Sequence, residues 1–270
     1  MKKEKHKNSM KDRKQLNTLI GWLTFLLSGL VYLLTVEPSA SLWDCGEFIA
    51  TSYKLEVGHP PGAPLFMLIA RFFAMFAPTP EFAALAINIM SVLCSALTIM
   101  FLFWTITHLG RRLTGAESFE QMSSGKFWTV MGAGFIGSLA YAFTDSFWFS
   151  AVEAEVYAMS SLFTAVVFWA ILKWEQATDN TTSTRWLVLI AYLMGLSIGV
   201  HILNLLTIPA LVFIYYFKKY PQVTTKGVIY ATAIAGVLLF AINSLIIPYT
   251  TAIGAWFDRL CVNTFGLPVN

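Results

Sequence analysis

Four carboxylates, Glu37, Asp44, Glu47 and Glu56, gather in the stretch EPSASLWDCGEFIATSYKLEVGHPPG (residues 37–62), which closes on a His-Pro-Pro-Gly turn beginning at His59. Asp44 and Glu47 are spaced i, i+3, so on a helix they share a face with Cβ atoms about 5–6 Å apart. Two carboxylates that close raise one pKa, which suits a general base or a shared cation site. The same pair also suits the capping and solubilising of a short helix at a membrane surface, and spacing alone leaves both readings open. A second acidic stretch, TDSFWFSAVEAEVY (residues 144–157), carries Asp145, Glu153 and Glu155. Glu153 and Glu155 stand two apart and share a face only where the chain is extended. His59, Arg71 and His201 are the candidates for holding an anionic group.

Charge is scarce elsewhere. Hydrophobic residues make up 57% of the 270, aromatics 15% and charged residues 12%, with a mean hydropathy of +0.64. That composition excludes a soluble domain and predicts an all-α, polytopic helical membrane protein. Apolar runs place about seven transmembrane helices at 17–36, 83–109, 127–143, 158–174, 186–201, 203–217 and 228–248. The break at GVHILN, with His201 and Asn204, divides a 32-residue apolar stretch into two short spans or marks one kinked helix. The net charge of +3 comes largely from the opening MKKEKHKNSMKDRK. A basic run just before a span is a topology signal, so residues 1–16 read as a cytoplasmic N-terminus and no nucleic-acid partner is expected. Cleavage as a signal peptide is not expected either, because the apolar run is long and lacks a small-residue cleavage site. Three dispersed cysteines, Cys45, Cys94 and Cys261, form no zinc or disulfide framework, although a Cys45–Cys261 bridge remains open.

Segment 61–78, PGAPLFMLIARFFAMFAP, is apolar but short and contains Arg71. If it crosses, Arg111, Arg112 and Lys126 fall outside; if it lies in the interface, all later basic loops fall inside. The positive-inside rule prefers the second arrangement. Loop 37–82, turn 144–157 and tail 249–270 then share the outer face. Gly132, Gly134, Gly137 and Ser138 in one helix read as a close-packing surface. Trp128, Trp148 and Trp256 near span ends read as interfacial belt residues, with the FWF run 147–149 also suited to stacking on a sugar.

The motifs EPSASLWDCGEF, GHPPGAPLF, AVEAEVY and GVHILN together resemble the membrane domain of the bacterial family known as domain of unknown function 2723, grouped with the protein O-mannosyltransferase-like enzymes of glycosyltransferase family 117. The resemblance covers about 37–205. It implies a GT-C-like fold over residues 17–270, with interfacial helices in a long first outer loop, and the N-terminal part of a longer protein. It also implies an integral-membrane glycosyltransferase that moves a sugar from a polyprenyl-phosphate carrier to a protein or glycan acceptor, on the outer face of a bacterial inner membrane. By the resemblance Asp44 is the first-loop catalytic acid with Glu47 beside it, and Glu153 and Glu155 belong to a second acidic outer loop. His59, Arg71 and His201 are left to contact substrate.

A glycosyl phosphate already has a good leaving group, so the chemistry needs a carboxylate to align or deprotonate the acceptor and a cationic or dipolar group for the phosphate. A divalent cation, Mg or Mn, bridging Asp44 with Glu153 or Glu155 fits carboxylate ligands but is not required. Asp44 and one of Glu153 and Glu155 are expected to face a common outward-open cleft, on the order of 10 Å apart or less. The alternative is a transporter or lipid carrier without transferase activity. Against it, the acids cluster in loops, and few ionisable groups lie inside the spans.

Overall fold

The computed structural model describes residues 2–60 and 62–268, with the side chains of 2–11 left aside. Among these residues every regular element is helical. Helix α1 (Lys2–Leu34) leads into a loop that carries α2 (Cys45–Lys54) and α3 (Pro64–Ala74). The long α4 (Ala83–Leu113) follows, then α5 (Ser124–Ala142), α6 (Asp145–Ala151), α7 (Val156–Gln176) and α8 (Asn180–Ile198). After a 3-10 stretch come α9 (Ile208–Lys219), α10 (Thr225–Ala241) and α11 (Ile247–Phe265).

The chain divides into two compact units at the Asn204–Leu205 bond. In the first, α4 is the mast. Its 31 residues span about 46 Å at 1.5 Å per residue, and α1, α3, α5 and α7 pack along it. The small residues of α5 permit a close approach to α4. A Cβ added at Gly134 would meet Thr107 at 2.6 Å, and one at Gly137 would meet Ile106 at 3.2 Å, whereas Gly132 faces open space. Ser138 is fully buried. In the second unit α10 packs on α9, and α10 runs through a π-helical turn (Ile242–Ile246) into α11.

This is a helical membrane protein. Among the described residues five helical stretches are long and apolar enough to cross a membrane, or six if α5 and α6, bent by 71°, count as one broken span. Helix is present at all seven expected positions, but α8 is not apolar along enough of its length, because it opens on the polar run Asn180–Arg185. What remains apolar is about 20 Å long, short of a core about 30 Å thick. The stretch 186–217 is two α-helices, separated between Ile198 and Ile208. Helix α3, 11 residues and about 16 Å, is too short to cross. Two expectations change. The turn 144–157 contains a helix of its own, α6, and the expected tail after 248 is helical to Phe265, the π-helical turn Ile242–Ile246 just before Pro248 carrying the helix on. All three cysteines are free thiols, so the Cys45–Cys261 bridge is absent.

Candidate active site

The acidic end of the first unit is tied together by contacts between residues far apart in sequence. Asn88, buried on α4, donates its amide to the carbonyls of Glu37 (2.7 Å) and Ser39 (3.0 Å). The Glu37 N–H in turn bonds the Val152 carbonyl at 3.0 Å. The first loop and the bend after α6 are thereby held side by side, and α2 starts from a fixed point.

Asp44 is the N-cap residue of α2, but its side chain makes no capping hydrogen bond. Its backbone carbonyl accepts from Phe48 N–H at 2.9 Å, while the carboxylate stays exposed. The capping role open to it in the sequence is therefore not taken up. Glu47, one turn on, folds back over the His-Pro-Pro turn. It accepts from the His59 N–H at 2.6 Å on one oxygen and faces His59 Nδ1 at 3.1 Å with the other. These two bonds hold the Glu47 carboxyl below the usual range. Gly58 leaves room for this fold-back, since a Cβ there would sit 3.3 Å from Glu47 Oε1 and 2.5 Å from Met67 Cε. Asp44, Glu47 and His59 bring one ligating atom each to within 4.8 Å of one another. Pro61, the second proline of the turn, lies outside the described residues.

Glu153 and Glu155 flank a tight turn at Ala154, where the Glu155 N–H bonds the Glu153 carbonyl at 2.9 Å, and only Glu155 itself is extended, at φ −116, ψ 150. Both are buried, at 4% and 7% exposed. Ser41 Oγ–H donates to Glu153 Oε2 at 2.6 Å, and the Cys45 thiol meets Glu155 Oε1 at 3.6 Å. Burial raises the pKa of both carboxyls, assisted at Glu153 by Glu37 and at Glu155 by Glu153 and Asp44. Burial, with the neighbouring carboxylates, pushes the Cys45 thiol up to about 12, so it stays protonated. Asp44 is exposed and the glutamate pair is buried, yet Asp44 lies near enough to Glu155 to raise its pKa. Among the described residues, the group that brings three ligating atoms together is Asp44 with Glu47 and His59.

Arg71 and His201 make their contacts elsewhere. Arg71 donates to the Tyr53 carbonyl at 2.5 Å and lies 5.2 Å over the Tyr53 ring, fastening α3 to the end of α2. His201 Nδ1 accepts from the Leu203 N–H at 3.1 Å, and its ring packs on Tyr157. Burial lowers its pKa, which favours a neutral imidazole over a phosphate-binding cation. Sequence reasoning passed over Ser41, Cys45 and Asn88, the residues that hold the acids. Asn88 was the detectable one, as a lone amide within an apolar run. Two cavities lie apart from the acids. One of about 670 Å³ runs along α8 from Asn180 to Tyr192, and an apolar groove of about 320 Å³ sits between Phe73–Pro78 and Phe82–Ile89.

Residues 44–224 match the family described as "Protein O-mannosyl-transferase TMEM260 N-terminal domain". The chain belongs to this family. The match opens on Asp44 and takes in Glu47, His59, Arg71, Glu153, Glu155 and His201, while Ser41 falls before it. Among curated proteins, the chain is 27% identical over 168 residues to the mouse protein named Protein O-mannosyl-transferase TMEM260, covering 62% of this chain and 21% of that protein. It is 25% identical over 205 residues to the Dictyostelium discoideum protein of the same name, covering 72% and 22%. The chain thus spans about a fifth of the length of these TMEM260 relatives. Both are eukaryotic, so they lend nothing to a bacterial inner membrane. No solved structure matches the chain.

Proposed function

We propose that this chain is the donor-handling membrane portion of a protein O-mannosyltransferase-like glycosyltransferase, with a GT-C-like architecture and its acidic end on the face opposite the basic N-terminus. The observation that carries the reading is the Asp44 carboxylate. It stands at the head of α2 without capping it, in a chain whose family is named for protein O-mannosyl transfer. Two listless roles, helix cap and ion-pair partner, are thereby removed, since no salt bridge to Asp44 occurs among the described residues.

In this reading the donor is a polyprenyl-phosphate-linked sugar held in the surrounding lipid, and the acceptor is a hydroxyl of a protein. Asp44 orients that hydroxyl and takes its proton as the oxygen attacks the anomeric carbon. The bond from that carbon to the phosphate oxygen breaks, and the phosphate leaves with the electron pair. Glu153 and Glu155 act from behind, fixing the first loop through Ser41 and Cys45. His59 holds Glu47 in place, and Arg71 holds α3 against α2.

The test uses the full-length protein in detergent, with a radiolabelled polyprenyl-phosphate mannose and a hydroxyl-bearing peptide. Asp44→Asn is expected to lower transfer by at least a hundredfold while the protein elutes as the wild type does; full activity in that variant would remove Asp44 from the mechanism. Uptake of the labelled lipid into sealed vesicles without transfer would favour the transporter alternative.

A further inference from the structure

We propose that Asp44, Glu47 and His59 form a binding site for a divalent first-row transition metal of the Mn²⁺ or Zn²⁺ class. The inference concerns binding and stands whether or not the chain transfers sugar. Metal–ligand bonds to oxygen and nitrogen run about 2.0–2.2 Å, so neighbouring ligands on one ion lie about 3 Å apart and opposite ones a little over 4 Å. Glu47 Oε2 and His59 Nδ1 are already 3.1 Å apart, and all three ligating atoms fall within 4.8 Å. An ion is therefore accommodated by small side-chain rotations. Two carboxylates with one imidazole suit Mn²⁺ or Zn²⁺ better than Ca²⁺ or Mg²⁺, whose sites are built from oxygen. Three protein ligands also leave coordination positions open to water or substrate oxygen.

The site is assembled in advance. The His59 N–H pins one Glu47 oxygen and so aims the other. Gly58 supplies the space in which that carboxylate sits, and a side chain there would press on it. None of Asp44, Glu153 and Glu155 has a Lys, Arg or His ion-paired to it among the described residues, and the two glutamates are 4% and 7% exposed. Asp44 lies close enough to Glu155 to act on its charge. Nearby bases are engaged elsewhere, Lys54 with Glu56 at 3.9 Å and Arg71 with the Tyr53 carbonyl. Asp44 thus has no basic side chain paired with it among the described residues, and a bound cation would supply its counter-charge. Cys45 is not a fourth ligand, because its buried thiol is turned to Glu155. On binding, His59 Nδ1 offers its lone pair to the ion and any proton it carried there is released.

The experiment titrates the full chain, purified without a polyhistidine tag in a neutral detergent and stripped with EDTA. Mn²⁺ is followed by electron paramagnetic resonance and Zn²⁺ by calorimetry. One saturable equivalent is expected, with a modulation from one imidazole nitrogen in the Mn²⁺ echo signal. His59→Ala should remove that modulation and weaken binding at least tenfold, and Asp44→Asn should weaken it similarly. The wild-type echo needs no folded variant, so it decides even if the variants aggregate. Failure of both ions to saturate overturns the proposal. So does a Mn²⁺ signal without nitrogen modulation, or unchanged affinity in an Asp44→Asn/His59→Ala protein that elutes normally. Loss of metal binding with transfer intact would leave the transferase reading standing, and the reverse would leave the metal site standing.

Discussion

Trp43, immediately before Asp44, sits at φ 63 with 86% of its surface exposed. A left-handed backbone costs an L residue about 1–2 kcal/mol, and here no buried ring repays it. Trp43→Gly is therefore expected to be about 1 kcal/mol more stable than Trp43→Ala, as measured by thermal unfolding in detergent; equal stabilities would mean the loop relaxes when the ring is lost. The glutamates behind Asp44 set a pH dependence. Burial raises both Glu153 and Glu155 above the ordinary value of 4.5, so the folded protein holds protons that the unfolded chain has released. Stability from these two is full below about 4.5 and falls as pH rises through their raised folded values. Glu47 runs the other way: its bonds from His59 lower it, so its contribution is present above 4.5 and lost as pH falls through its folded value. The double variant Glu153→Gln/Glu155→Gln should flatten the decline of thermal midpoint from pH 4.5 to 8. Parallel curves for variant and wild type would show that the pair does not titrate in this range.

Helix α5 meets α4 through Gly134, where an added Cβ would come within 2.6 Å of Thr107 and 3.0 Å of Phe103. Gly134→Leu should cost at least about 1–3 kcal/mol through overpacking, whereas Gly132→Leu, facing open space, should be near neutral. Comparable losses at both positions would show that helix propensity or insertion, not packing, is at stake. The apolar periodicity made these spans legible, and charge parity with length singled out α3 as an element that does not cross. Less was legible where one short sequence signal overlaid another. The run SFWFSA reads as an aromatic belt, yet with Asp145 it makes up α6, a helix too short to show a period. Likewise the last span is expected to end at 248, but a π-helical turn, Ile242–Ile246, carries the helix past Pro248 into α11. At the site, sequence gave the ligating types and the i, i+3 spacing of Asp44 and Glu47. It could not give the fold-back of Glu47 onto His59, 12 residues on, because that depends on the space at Gly58. Nor could it show that Glu153 and Glu155 turn inward, since their partners Ser41 and Cys45 lie over a hundred residues away.

The first unit closes its acidic end with contacts that join distant parts of the chain: Asn88 to Glu37 and Ser39, Glu37 to Val152, Ser41 to Glu153, and the Leu65 N–H to the Gly199 carbonyl at 2.8 Å. None of these forms from a single helical hairpin, so the site is a property of the assembled unit. The separation has a consequence in time. Cys45 and Glu155 are 110 residues apart, and at a synthesis rate of about 5–20 residues per second the thiol waits roughly 5–20 s for the partner that buries it. Over that interval Cys45 is an ordinary reactive cysteine at the start of α2, open to whatever oxidants the compartment holds. Pulse-labelled chains truncated near residue 120 should therefore be alkylated at Cys45 by a membrane-impermeant maleimide, while chains extended past residue 205 should be protected. Equal labelling of the two lengths would mean that the first loop closes over this thiol before the second acidic stretch has been made.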